Sequence, residues 1–282
     1  MTRYLITGAN GMLGRDLQAA LAGRNVTALG RIDLDVTDLA AVSDAVAGHD
    51  VVINTAAYTK VDDAESNEDA AYLVNAVGAR NLALAASAAS ARLVQVSTDY
   101  VFDGTATTPY SEDTPRGPVS AYGRSKAEGE RLVLTANGAR SYIVRTAWLY
   151  GAHGPNFAKT MLRLAATREQ VAVVTDQVGQ PTWTLDLARK IVEMIDVSAP
   201  YGIYHGTNTG EASWFDFARE VFSNAGLDPD RVTQTDSSSF VRPAPRPAYS
   251  VLGHDAWDAA DLDPLRDWRE ALAEAMDDEF LE

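Results

Sequence analysis

The chain has 282 residues, no cysteine and a formal net charge of −15, and 46% of its residues are apolar. This length carries a large α/β domain plus a smaller lobe. The acidic balance argues against nonspecific nucleic-acid binding and against an anionic membrane surface, and the lack of cysteine excludes a disulfide framework and thiol chemistry. No apolar run approaches the roughly 20 residues needed to span a bilayer. The N-terminus enters a strand at once and has no signal-peptide architecture. His49, His153, His205 and His254 show no metal-ligand spacing, so no metal site is assigned. The expectation is a cytoplasmic protein with no membrane or nucleic-acid partner.

Arg3-Tyr4-Leu5-Ile6-Thr7 reads as a buried strand. Gly8, Gly11 and Gly14 follow as GxxGxxG, and Leu13, Leu17, Ala20 and Leu21 recur at helical spacing, so a helix begins inside the glycine run. Strand, glycine turn and helix make the first half of a dinucleotide-binding βαβ unit. Glycine lets the backbone turn sharply and approach a pyrophosphate closely. The helix N-terminus offers free N–H groups and partial positive charge to that anion. The alternative is an ordinary strand–turn–helix.

Val26-Thr27-Ala28-Leu29 reads as the second strand. A fold selective for NAD usually places Asp or Glu after it, on the ribose 2′-OH. Here Gly30 and Arg31 follow. A guanidinium pairs with a 2′-phosphate through its planar fork, which favours NADPH and keeps NADH as the other choice. The alternative is a solvated loop arginine. In the run 33–38, Asp38 or Thr37 could cap a helix running toward residue 47, or an Asp at the strand end could reach an adenine amino group. Asp50-Val51-Val52-Ile53-Asn54 is another buried strand, and the small residues of Thr55-Ala56-Ala57-Tyr58-Thr59 let a cofactor lie against the backbone at its carboxyl end. Residues 68–90 form an alanine-rich helical stretch in which Asn75 is either a supporting polar residue or exposed. The strand 92–97 ends in Thr98-Asp99-Tyr100-Val101-Phe102. Such a strand tip serves a turn or chemistry.

Ser120 is a plausible N-cap for a helix that carries Tyr122 and Lys126 at i and i+4, on one face. A phenol titrates near 10 and is a poor acid at neutral pH. An ammonium beside it favours the phenolate and lowers that value. Tyr122 could then give a proton to an oxygen as hydride reaches the carbon, with Lys126 on the nicotinamide ribose and Thr98 polarising the carbonyl. A YxxxK motif alone is common by chance; its order after a glycine loop and a hydroxyl-bearing strand tip is harder to meet by accident.

With Gly8, Gly11 and Gly14, Asn54-Thr55-Ala56-Ala57, Thr98 and Tyr122-x-x-x-Lys126, the chain resembles the extended short-chain dehydrogenase/reductase superfamily. Residues 97–104, 122–126, 145–150 and 156–161 are similar to the dTDP-4-dehydrorhamnose reductase family, over nearly the whole chain. Sugar-nucleotide dehydratases of the superfamily have Glu where Tyr100 stands, and the resemblance therefore implies simple ketone reduction. It also implies that Gly11, Met12 and Leu13 cover the pyrophosphate, that Asp35 and Val36 meet the adenine, and that Ala57, Tyr58 and Thr59 line the cofactor. Gly30 departs from the acidic residue this family often carries. Some relatives are dimers bridged by Mg²⁺ and carboxylates; Asp16 lies near one such position, but the sequence completes no site. A homodimer is left open.

The strand 145–150 leaves the sheet, and regular βαβ alternation weakens beyond it. By chemistry alone Trp148 either stacks beside the sugar or nucleotide or is a core residue, the second somewhat favoured; the resemblance makes it a substrate contact. A helix is expected over 155–168, a strand over 171–174, and a helix over 184–195 that packs back on the large sheet. The loop 176–182, with Gln180, looks like the nucleotide-sugar pocket wall of the family, and Asn156 is placed with the substrate. Residues 201–208 read as strand, Ser213 caps a helix, and 264–276 reads as a final helix before an acidic tail that frays. In the proline-rich run 239–247, Arg242 and Arg246 could meet a diphosphate; the alternative is a stiff surface linker.

The expected fold is α/β, a doubly wound parallel (Rossmann) sheet over 1–150, with 184–200 packing back onto it and a substrate lobe over 151–282. The expected reaction is NAD(P)H-dependent reduction of the C4 ketone of dTDP-4-dehydro-L-rhamnose to dTDP-L-rhamnose. Thr98, Tyr122 and Lys126 would be catalytic, and Asp99 would position the sugar. Two alternatives stand beside it: a reductase of another dTDP-4-keto-deoxysugar, and a non-catalytic regulatory subunit of the same fold, like the β subunit of methionine adenosyltransferase.

Overall fold

The structure, a computed structural model, describes residues 1–277. The fraying expected of the acidic tail concerns mostly 278–282, which lie outside the described residues. The chain opens with β1 (Arg3–Thr7), α1 (Met12–Ala20), β2 (Asn25–Leu29), α2 (Leu39–Val46) and β3 (Val51–Asn54). Next come α3 (Val61–Ala64), α4 (Glu68–Tyr72), a π-helical turn at Leu73–Gly78, and α5 (Ala79–Ala88). β4 (Arg92–Thr98), α6 (Ala121–Asn137) and β5 (Ser141–Thr146) follow. The remaining elements are β6 (Leu149–Tyr150), α7 (Phe157–Ala165), β7 (Val171–Val174), β8 (Val178–Gly179), β9 (Thr182–Trp183), α8 (Thr184–Asp196), β10 (Gly202–His205), β11 (Asn208–Thr209), β12 (Ala212–Ser213), α9 (Trp214–Asn224), β13 (Val232–Thr235), α10 (Asp255–Ala259), β14 (Leu265–Asp267) and α11 (Trp268–Asp277).

Six strands pair in parallel in the order β2-β1-β3-β4-β5-β10. All four residues of β3 and all six of β5 are buried, as strands covered on both faces must be. The chain steps from β1 outward to β2 and returns to β3 on the other side of β1. That reversal opens a crevice at the carboxyl ends of β1 and β3, where open parallel sheets bind ligands. Leu13 and Leu17 of α1 cluster with Leu187 and Ile191 of α8 on one face. Val42 of α2, Leu82 of α5 and Val133 of α6 cover the other. A separate core, with Tyr150, Met161, Phe217 and Trp268, underlies much of the chain beyond β5 other than α8 and β10.

Three segments differ from expectation for identifiable reasons. The helical stretch 68–90 is interrupted by the π turn, which turns Asn75 inward, 2% exposed. Two glycines allow the tight packing there: a Cβ on Gly78 would stand 2.6 Å from Val36, and one on Gly129 would stand 2.2 Å from the Asn75 carbonyl. The run 201–208 is two strands: β10 makes its last bond to β5 from the Gly206 N–H to the Arg145 carbonyl at 2.7 Å, and β11 then pairs with β14 instead. The final helix begins at Trp268, since Leu265 first pairs with Asn208 as β14.

Candidate active site

A cavity of about 1010 Å³ runs along the carboxyl edge of the sheet. It lies at the upper end of the usual range for small-ligand sites. Its lining includes Gly8, Gly11, Met12, Leu13 and Gly14 from the glycine turn, then Arg31, Asp35 and Val36. Ala57, Tyr58 and Thr59 from the loop after β3 face the same space, as do Thr98, Asp99, Tyr122, Lys126 and Trp148.

The glycine turn is fixed by sterics. Gly8 takes a φ of +70°, and a Cβ on it would stand 2.5 Å from the Ala56 nitrogen. The Gly11 N–H donates to the Gly8 carbonyl at 2.9 Å. A Cβ on Gly11 would meet only that carbonyl oxygen, at 3.2 Å, with open space otherwise. Gly11 also caps α1 without any side-chain hydrogen bond, so the first N–H groups of the helix are available to an anion. The turn thus fits a pyrophosphate.

A Cβ on Gly30 would lie 2.2 Å from the Asn10 amide nitrogen, so any side chain there displaces Asn10. Exposed Arg31 takes over the polar edge of the cleft. Asp35 accepts from the Thr37 N–H at 2.9 Å and the Thr37 hydroxyl at 2.8 Å, which hold its carboxyl below the usual range. The Asn81 amide donates to the Val36 and Thr37 carbonyls at 3.1 and 3.0 Å and holds that loop against α5. Asn75 does the same for the opposite wall. It accepts from the Tyr58 N–H at 2.8 Å and donates to the Tyr58 carbonyl at 3.1 Å and the Ser125 hydroxyl at 2.9 Å. Ser125 in turn donates to the Tyr122 carbonyl at 2.7 Å. One amide therefore ties the loop after β3 to the helix that bears Tyr122 and Lys126.

Ser120 caps α6 as expected, accepting from the Gly123 N–H at 3.0 Å. The Tyr122 hydroxyl meets Thr98 at the tip of β4. Burial pushes the Tyr122 phenol above its ordinary range, opposed by the hydrogen bond to Thr98 and aided by the negative charge of Asp99. The expected lowering by Lys126 does not govern it: the Lys126 ammonium donates to the Val96 carbonyl at 2.6 Å. Burial lowers Lys126 to about 8, against the opposing influence of Glu130 one turn later. A phenol that keeps its proton is a donor, which is the state a reduction uses.

Trp148 has φ +45°, a strained value for a bulky residue and one found where a site over-determines the backbone. Its ring stacks on Trp214 with centroids 3.6 Å apart and planes 9° apart, and a Cβ on Gly179 would fall 2.7 Å from its ring. Trp214, on the helix capped by Ser213, also lines the cavity. Three residues expected near substrate are not among the lining residues. Asn156 accepts from the Lys159 N–H at 3.0 Å, capping α7, and donates to the Gly151 carbonyl at 2.9 Å. Gln180, 2% exposed, accepts from the Leu252 N–H at 2.8 Å and the Thr207 hydroxyl at 2.9 Å and braces the segment behind the wall. Arg242 is exposed, 4.0 Å from Asp62, while Arg246 makes the closer 2.9 Å pair with Asp62 and lies over the Tyr100 ring. Asp16 is buried, 3.9 Å from the His153 ring, with Oδ2 unpartnered among the described residues. Among those residues no group of three or more His, Asp or Glu side chains is placed to hold a metal ion.

The model of the RmlD substrate binding domain family matches residues 2–280. A dTDP-4-dehydrorhamnose reductase of Streptomyces griseus is 53% identical, over 97% of this chain and 93% of that protein. A dTDP-4-keto-6-deoxy-D-glucose reductase of Streptomyces niveus is 51% identical, over 97% and 96%. A crystal structure of dTDP-4-dehydrorhamnose reductase from Bacillus anthracis in complex with NADP superimposes with a TM-score of 0.95 at 41% identity, covering 99% of this chain and 100% of that one.

Proposed function

The chain belongs to the dTDP-4-dehydrorhamnose reductase family, and from that premise we infer that it reduces the C4 ketone of dTDP-4-dehydro-L-rhamnose to dTDP-L-rhamnose with NADPH. The carrying observation is the convergence of Thr98, Tyr122 and Lys126 at the tip of β4, in one cavity with the glycine turn. NADPH supplies a hydride to the carbonyl carbon when bound. Gly11, Met12 and Leu13 hold its pyrophosphate against the free N–H groups of α1, Asp35 and Val36 meet its adenine, and Ala57, Tyr58 and Thr59 line it. Tyr122 gives its proton to the carbonyl oxygen, Thr98 orients that oxygen, and Lys126 anchors the nicotinamide ribose. Trp148, seated on Trp214, bounds the sugar. Residues 1–150 with 184–200 and the adjoining β10 form the cofactor half, and most of the rest forms the substrate lobe. No helix of the described residues is long and apolar enough to cross a membrane; a cytoplasmic homodimer completes the reading.

The Streptomyces niveus relative makes the choice of sugar the point to test. Following NADPH oxidation against a panel of dTDP-4-keto-6-deoxyhexoses should give the highest kcat/KM with the L-lyxo substrate that yields rhamnose. A higher value with the D-xylo ketone would move the enzyme to the other sugar, and no oxidation with any of them would remove the reductase reading. Arg31→Ala should raise the KM for NADPH by roughly tenfold, the cost of about one charge-assisted contact to phosphate, and leave NADH kinetics within about twofold. Equal effects on both cofactors would take Arg31 off the 2′-phosphate.

A further inference from the structure

Asp99 is one of the most deeply buried carboxyls in the protein, 2% exposed, yet it stands beside the catalytic hydroxyls. Thr98 Oγ1 donates to Asp99 Oδ1 at 2.9 Å and accepts from the Tyr100 N–H at 3.2 Å, and it is also the neighbour of the Tyr122 hydroxyl. A threonine hydroxyl has one hydrogen and two lone pairs. An ionised Asp99 takes the hydrogen and Tyr100 takes one lone pair. No Thr98 hydrogen is then left to present to a ketone. A proton on Asp99 Oδ1 reverses the first bond: the carboxyl donates, both Thr98 lone pairs are filled, and the Thr98 hydrogen is released toward the cavity that Tyr122 also lines.

We propose that Asp99 is a positioning residue that must be protonated for reduction, because only its neutral form frees the Thr98 hydrogen to join that of Tyr122 at the substrate oxygen. This rests on the reductase reading above. The surroundings suit a neutral acid. Asp99 Oδ2 has no hydrogen-bond partner among the described residues, and Ser250, whose hydroxyl is likewise unpartnered, approaches it without a bond of good geometry. The titratable groups facing Asp99 are Tyr100 on its own segment and Tyr122 on α6, neither a cation. Lys126 is turned to Val96, and Arg246 lies over the Tyr100 ring, held by Asp62. An unpaired carboxylate in such a place favours its protonated form. Burial pushes the Asp99 carboxyl up to about 6, against the lowering contacts with Ser250 and Thr98.

The test compares wild type with Asp99→Asn, an uncharged isostere whose amide can donate to Thr98 at every pH. In the wild type kcat/KM should fall as pH rises through the Asp99 ionisation, tenfold per pH unit in the limit, before the separate limb of Lys126 near 8. In Asp99→Asn the first limb should vanish, the second should remain, and the variant should overtake the wild type near neutral pH. A limb that persists, or a uniform loss at every pH, would overturn the proposal. An infrared difference spectrum, wild type minus variant with NADP⁺ bound, reads the same state without turnover. A carbonyl stretch of a protonated acid should be present at low pH and disappear on titration. If no sugar is reduced, the reductase reading fails and the infrared band alone decides the protonation of Asp99; its absence sinks the proposal.

Discussion

Replacing Tyr122 with Phe should lower kcat by on the order of 10²–10⁴-fold, the range for losing a positioned proton donor, with the NADPH dissociation constant unchanged within about twofold. The ring does the packing and the hydroxyl does the chemistry, so the substitution separates them. The Tyr122 ring is buried with Ala64, Ala71 and Ala121 and meets the Tyr100 ring edge-on at 5.7 Å, contacts that phenylalanine keeps. The Ser125 bond runs to the Tyr122 backbone and is untouched. Thr98 loses one neighbour but keeps Asp99 and the Tyr100 N–H. Stopped-flow turnover and NADPH fluorescence titration read the two halves independently. Loss of NADPH binding would place Tyr122 in the cofactor frame rather than at the ketone, and full turnover would remove it from the chemistry. The same variant discriminates against a regulatory subunit, which binds cofactor and turns nothing over in either form.

The cofactor half was legible because its demands are local. A glycine at φ +70° with no room for a Cβ, a helix beginning within that turn, and a Tyr and Lys one helical turn apart are all short-range patterns. The lobe beyond β5 was harder because its chemistry is assembled over distance. Gln180 looked like a pocket residue from its polar, glycine-containing loop, and its amide is consumed by Leu252, 72 positions away. Asn156 looked polar and available, and a helix needed a cap. Trp214 belongs to the cleft only because Trp148, 66 positions earlier, stacks on it, and no periodicity carries that information. Asn75 was left between two roles because a π turn, which reorients one residue in a helix, leaves little trace in a sequence pattern. The tuning of Tyr122 shows the same limit. Spacing brings Lys126 to its face, but the ammonium's partner is a carbonyl on β4 that only the folded sheet supplies.

Glu130→Ala should cost about 3–5 kcal/mol of stability, the range for breaking a buried ion pair by removing one partner. Glu130 and Arg145 are each 1% exposed. The carboxylate accepts from Arg145 Nε and Nη2, both at 2.9 Å, from the Ser97 hydroxyl at 2.6 Å and from Arg116 at 3.3 Å. Truncation leaves the Arg145 guanidinium with the Glu112 carbonyl at 3.1 Å, the His205 ring at 3.4 Å and the Phe102 ring beneath it. His205 cannot compensate, since burial holds its ring neutral, at about 3. A charge so placed is the costly product of the mutation. The double substitution Glu130→Met with Arg145→Met removes both charges and should therefore recover most of the loss. Thermal and urea unfolding of the two variants reads this directly, with a fall in Tm of on the order of 10 °C for the single change. A single mutant that loses less than about 1 kcal/mol would show that water reaches the pair in solution. The pair also reaches the chemistry: Ser97 precedes Thr98, and Glu130 is the charge that opposes the burial of Lys126. Removing it should lower the Lys126 pKa further, so the alkaline fall in kcat/KM should begin at lower pH in Glu130→Gln. An unmoved alkaline limb would mean that Lys126 does not set it.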